Sequence, residues 1–113
     1  MKYGKVWGIT QQLFNKNNVA IHRITINKGS SCSEHYHDYK YNMFYIEKGK
    51  LLIKHWQTDY DLVDETILED GESSTIPPKH FHQFIALEDT IAYEIYYVEL
   101  SDNDINRRTC GKK

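Results

Sequence analysis

Apolar residues along this chain recur at two-residue spacing in short runs broken by turn signals, which is the pattern of β-strands rather than helices. The run VAIHRITIN (19–27) carries β-branched residues on both alternation sets, Val19, Ile21 and Thr25 against Ile24 and Ile26, and predicts a strand covered on both sides. NMFYIE (42–47) and LLIKHW (51–56) flank Glu47-Lys48-Gly49-Lys50 and predict a β-hairpin. HFHQFIAL (80–87) and TIAYEIYYVEL (90–100) are joined at Glu88-Asp89, and the second is the richest in Ile, Tyr and Val. The segment from Gln57 to the turn at Asp70-Gly71 predicts a strand with an exposed acidic edge. An opening strand from Val6 to Phe14 has Trp7 and Phe14 as its expected packing anchors, and Asn15 to Asn18 forms a turn.

About eight strands at 8–12-residue spacing, with no long helical period, predict an all-β barrel or double-sheet sandwich. Ser101-Asp102-Asn103-Asp104 is read as the cap of a short helical turn, and the segment 107–113 as a basic, frayed tail.

The 113 residues are enough for one domain, 1–113, with its core at about 5–108 and a tail at 109–113. A hydrophobic fraction of 40%, with nine Tyr and two Trp, supports a folded core over most of the length. The formal net charge of -2 leaves no basic face to expect a nucleic-acid partner. No apolar run reaches the length of a membrane span, and MKYGKVWGIT lacks the apolar centre of a signal peptide, so a cytoplasmic protein without a membrane partner is expected. Two cysteines are too few for a disulfide framework. Cys32 reads as a small half-buried turn residue rather than a ligand.

Four of the six histidines fall in two pairs, His35 with His37 and His80 with His82. Residues two apart on a strand leave the same face, so each pair can aim two imidazoles at one point. Neutral imidazole suits Zn, Fe, Ni, Mn or Cu, and the histidines alone do not choose among them. His22 and His55 read as ordinary hydrogen-bonded or solvated strand residues.

These residues resemble the two motifs of the cupins. Gly29, His35, His37, Asn42 and Gly49 keep the intervals of the first motif, with Asn42 where a glutamate ligand is usual, and Gly71, Pro77 and His82 keep those of the second, with Lys79 where glycine is usual. The resemblance implies a small single-domain cupin, a double-stranded β-helix or jelly-roll barrel. It also implies a divalent transition metal (Mn, Fe, Ni or Zn) on His35, His37 and His82, with Asn42 as a weak fourth ligand. Lys79 would have to accept the positive φ that glycine serves there.

HRITINKG, the initial Trp7-Gly8, LEDGESSTIPP and YEIYYVEL followed by SDNDINR are similar to the C-terminal cupin domain of type II mannose-6-phosphate isomerases over about residues 5–108. That likeness implies interconversion of an aldose and a ketose phosphate by proton transfer between C1 and C2. His80 would then be a substrate contact and Arg23 the best phosphate anchor, ahead of Lys40 and Lys79. The base would be His80 or Glu94, although strand parity leaves open whether Glu94 and Tyr96 or Tyr93, Ile95 and Tyr97 face the cavity. Two alternatives stand beside the isomerase: a three-histidine iron dioxygenase, and a non-catalytic cupin that binds a carbohydrate or other small molecule. A homodimer is expected in each case.

Overall fold

The computed structural model describes residues 2–57, 62–98 and 103–113. Its elements are all strands: β1 (Lys2–Lys5), β2 (Gly8–Lys16), β3 (Val19–Ile26), β4 (His35–Tyr36), β5 (Tyr41–Lys48), β6 (Lys50–Trp56), β7 (Val63–Glu69), β8 (Ser73–Ile76), β9 (Phe81–Ala86), β10 (Thr90–Tyr97) and β11 (Asn106–Arg107). They form two antiparallel sheets, ordered β1-β2-β3-β10-β5-β8 and β11-β4-β9-β6-β7. This is the all-β jelly-roll architecture expected above. Among the described residues no helix is long and apolar enough to cross a membrane.

The core lies between the inner faces of the two sheets and follows from alternation. Ile24 and Ile26 of β3, Phe44 and Ile46 of β5, Leu51 and Ile53 of β6, and Phe84 and Ala86 of β9 are all buried. Each large side chain removed from water there stabilises the fold by about 1.5–3 kcal/mol. Trp7 joins them edge-on to Phe84, with ring centroids 5.1 Å apart. The outer set of β3, including Val19, Ile21 and Thr25, is only half-buried, so the strand is covered fully on one side rather than two.

Several expectations change. Phe14 is exposed: a bulge at Leu13 shifts the β2–β3 register, so that Phe14 pairs with outward-facing Ile21 and Asn15 takes the inward position opposite Ala20. Asn17 and Asn18 close this hairpin with φ of 56° and 61°, the double positive φ of a type I′ turn. β5 and β6 are not a hairpin. β5 pairs with β10 and β8, and β6 with β7 and β9, so the chain changes sheets at Gly49. Gly49 has φ +118°, and a Cβ on it would lie 2.6 Å from the Asp89 carbonyl oxygen; only glycine fits this corner.

β7 is the edge strand with exposed Asp64, Glu65 and Glu69 that its sequence suggested, while residues 58–61 of that segment lie outside the described residues. Ser101 and Asp102 of the expected helical cap also lie outside them, as does the end of the last predicted strand, and Asn103 is a turn without a helix. The tail is pinned rather than frayed. Lys112 and Ser31 exchange both backbone hydrogen bonds (2.7 and 2.9 Å), and Thr109 Oγ1 accepts from Glu34 N (2.8 Å).

Candidate metal centre

β4 and β9 lie side by side with His35 opposite His82, and His37 follows one turn of the pleat beyond His35. The three rings pack within 4.4–5.3 Å, centroid to centroid. One ring nitrogen from each lies within 4.8 Å of the other two, and all three residues are buried.

Hydrogen bonding identifies those nitrogens. Nδ1 of His35 lies 2.8 Å from the Ser33 carbonyl, Nδ1 of His37 2.6 Å from the Asp104 carbonyl, and Nδ1 of His82 3.1 Å from the His80 carbonyl. A carbonyl only accepts, so each Nδ1 bears the proton and each Nε2 keeps its lone pair. Nε2 of His37 has no hydrogen-bond partner among the described residues although it is buried. Burial, then the neighbouring histidine in the cluster, holds His35 down to about 3 and His37 down to about 4, and pushes His82 well below the usual histidine range. All three imidazoles are therefore neutral at physiological pH. Three converging, preoriented, neutral nitrogens fit a transition-metal ion.

The loop geometry beneath the histidines depends on two residues. Asp104 accepts from the backbone N–H groups of Asp38 (2.5 Å), Tyr39 (3.0 Å) and Lys40 (3.1 Å) through its carboxylate, while its carbonyl holds His37. Lys79 adopts φ 69° and its N–H donates to the His37 carbonyl at 2.6 Å, so the lysine accepts the left-handed geometry of the usual glycine. Asp104 was not found from the sequence, because 67 residues separate it from His37 and no local pattern links them.

Asn42 is completely buried beside the centre. Its Nδ2 donates to Glu94 Oε2 (3.3 Å) and lies 3.4 Å from His82 Nε2, while its Oδ1 has no hydrogen-bond partner among the described residues. An amide nitrogen has no lone pair to offer, so in this orientation Asn42 bridges the centre to Glu94. Ligation through Oδ1 would require a half-turn of the amide.

A cavity of about 800 Å³ opens onto His35 and His37. β10 settles the parity that the sequence left open: Ala92, Glu94 and Tyr96 face inward. Glu94 is buried, and Tyr96 donates its phenolic hydrogen to Glu94 Oε2. Burial raises the Glu94 carboxyl above the usual range, against the lowering effect of its hydrogen bonds to Tyr96 and Asn42. His22 also lines this wall, edge-on to Tyr96, on the inward parity it shares with Ile24 and Ile26.

The structure does not bring the two expected substrate contacts to this cavity. Arg23 alternates with His22 and Ile24, so it points outward, beside Tyr93. His80 turns to His55, whose Nε2 lies 2.8 Å from His80 Nδ1 with the rings stacked, and neither lines the cavity wall. Cys32 lies on the wall but is no part of the histidine cluster. Its sulfur accepts from Phe84 N (3.2 Å), and burial pushes the thiol up, so it stays protonated.

Residues 22–99 match the family model described as Cupin domain. Among solved structures, the capsular polysaccharide assembling protein CapF from Staphylococcus aureus is similar with a TM-score of 0.83 at 18% identity, over 95% of this chain and 33% of that one. KdgF from Halomonas sp. gives a TM-score of 0.73 at 15% identity, over 83% of this chain and 81% of that one. Oxalate decarboxylase from Bacillus subtilis gives 0.80 at 14% identity, over 96% of this chain and 30% of that one. The chain thus spans about a third of the length of CapF. No curated protein matches the sequence.

Proposed function

Because this chain belongs to the cupin domain family, we propose that it holds a divalent transition metal on His35, His37 and His82 and acts there on a small polar molecule. The reaction we infer is a proton transfer between adjacent carbons of a sugar or sugar phosphate, that is, isomerase-like chemistry. One observation carries the reading: a buried carboxyl, Glu94, shares a cavity wall with His35 and His37 and is held there by the amide of Asn42, which lies beside the centre.

Bound Mn, Fe, Ni or Zn would supply polarisation of a carbonyl and stabilisation of a developing oxyanion. The remaining steps fall to side chains. Glu94, with its carboxyl raised above the usual range, is suited to take a proton from one carbon and return it to the next. Tyr96 and Asn42 both hold the same oxygen of Glu94, which fixes the carboxyl plane and leaves the other oxygen for substrate. The inward set of β10 and the buried neighbours Phe44 and Phe84 keep bulk water from this carboxyl.

Metal analysis of protein purified without an affinity tag tests the centre. About one equivalent of metal in the native chain, lost in His35→Ala/His82→Ala, is expected. A native chain that takes up none of Mn, Fe, Ni or Zn overturns the proposal. Loaded protein is then screened against aldoses, ketoses and their phosphates in deuterated water. Substrate should acquire deuterium with native protein, and Glu94→Gln should abolish exchange while keeping the metal. A donor set without a carboxylate favours a second reading, an iron dioxygenase. Oxygen consumption by the iron form, without proton exchange, would select it.

A further inference from the structure

The charges on the cavity wall oppose the charge of the molecule. The chain carries a formal net charge of -2, yet the described residues lining the cavity include three cations, Lys5, Lys40 and Arg107, and a single carboxyl, Glu94. The cations come from separate parts of the chain. Lys5 ends β1, Lys40 immediately precedes β5, and Arg107 lies in β11 directly opposite His35.

The fold holds these charges close to the reacting end of the cavity. Lys40 is buried at 8% exposure, and its Nζ lies 4.2 Å from the ring centroid of Tyr96, which shares the wall with Glu94. Arg107 faces His35 across the β11–β4 pair, and Lys5 shares the cavity wall with Glu94. Glu94 is the one carboxyl set against these three cations among the described lining residues. Lys40 is buried whereas Lys5 and Arg107 are exposed, and a cleft lined by one sign of charge concentrates the opposite ions. The rest of the wall supplies neutral hydrogen-bonding groups, among them Thr10, Gln12, Asn15 and His22, which suit hydroxyl groups.

We propose that Lys5, Lys40 and Arg107 form an anion anchor, and that the molecule handled at the three-histidine centre is a small hydroxylated compound bearing a carboxylate or a phosphate. Arg107 is the directional member, since a guanidinium grips either anion with two parallel hydrogen bonds, whereas the two ammonium groups act as point charges. The proposal rests on the cavity being the substrate site of the metal centre, and it gives the anchoring role to residues other than Arg23.

The test is calorimetric titration of glucose, gluconate and glucose 6-phosphate into metal-loaded native protein, Arg107→Ala and Lys5→Ala, with metal content measured on each sample. At least one anion should bind about tenfold or more tightly than glucose, and added NaCl should erode that preference. Gluconate leading identifies a carboxylate anchor, and glucose 6-phosphate leading a phosphate anchor. Arg107→Ala should lose most of the preference and Lys5→Ala part of it, both at unchanged metal content. Glucose binding as tightly as both anions, or a preference untouched by Arg107→Ala, overturns the anchor. Failure of the metal centre itself would appear separately, as missing metal in the native protein.

Discussion

Asn42 sets the character of the site at the level of one residue. A carboxylate at this position would add a negative ligand to three neutral imidazoles, whereas the amide adds none and spends its donor on Glu94. The substitution Asn42→Asp should therefore raise affinity for Mn or Zn by about tenfold, read by competition with a chromophoric chelator. The same change should destabilise the metal-free protein by about 1–3 kcal/mol, because it sets a second buried carboxyl against Glu94. Unchanged affinity would mean that this side chain does not reach the ion. The histidines were legible in the sequence because motif spacing and strand parity together bring His35, His37 and His82 to one point. Glu94 was legible only as an alternative, since both faces of β10 carry large side chains and parity alone could not rank them. Arg23 was expected at the cavity for a related reason, although its parity turns it outward. A cation in a strand attracts attention as an anchor, but it alternates with Ile24 and must face away from whatever Ile24 faces.

Among the elements, the strands themselves were readable, and their partners were less so. Runs 42–47 and 51–56 joined by a glycine turn have the local signature of a hairpin, and nothing nearby reveals that Gly49 carries the chain from one sheet to the other. The deciding contacts are with Asp89 and Thr90, some forty residues away. Gly49→Ala should thus cost about 3 kcal/mol, from a left-handed φ together with a Cβ pressed on backbone atoms, measured as a lower denaturant midpoint at unchanged slope. A neutral result would show that this corner yields easily. The turn before β9 gives the opposite case. Lys79 holds φ 69° without a glycine, so Lys79→Gly should stabilise the protein by about 1 kcal/mol while the N–H bond to the His37 carbonyl survives. A loss of stability there would mean that the lysine side chain contributes more than its backbone strain removes. The pinned tail was illegible for the same reason as Gly49, because its partner is the distant loop before β4, whereas the bulge at Leu13 is a local register shift against β3 that alternation alone does not reveal.

For the whole molecule, the two sheets bury three histidines that ionise readily in the unfolded chain, which ties stability to pH. An unfolded histidine takes a proton near 6.5, whereas in the fold burial and mutual repulsion hold His35 to about 3 and His37 to about 4, with His82 lowered in the same direction. Above pH 6.5 neither state binds these protons and the fold keeps its full stability. As pH falls below 6.5 the unfolded chain gains protons that the folded one refuses, so stability drops. At about pH 5.5 each histidine accounts for a loss of about 1.4 kcal/mol. Glu94 works the other way. Its carboxyl is raised in the fold, so as pH falls through that raised value the folded state takes up a proton first, which adds stability until the unfolded carboxyl follows near 4.5. One carboxyl opposes three histidines, and the net effect of acid is destabilising. The metal-free protein should lose on the order of 10 °C in Tm between about pH 7.5 and 5.5, followed by thermal unfolding monitored by circular dichroism. His35→Ala/His82→Ala keeps only His37 of the three and should show a clearly shallower dependence over the same range. Bound metal needs the same lone pairs that protons seek, so the loaded protein should start from a higher Tm and converge on the metal-free curve as acid displaces the ion. A metal-free Tm that stays flat across this range would mean that the three imidazoles open to water before the fold gives way.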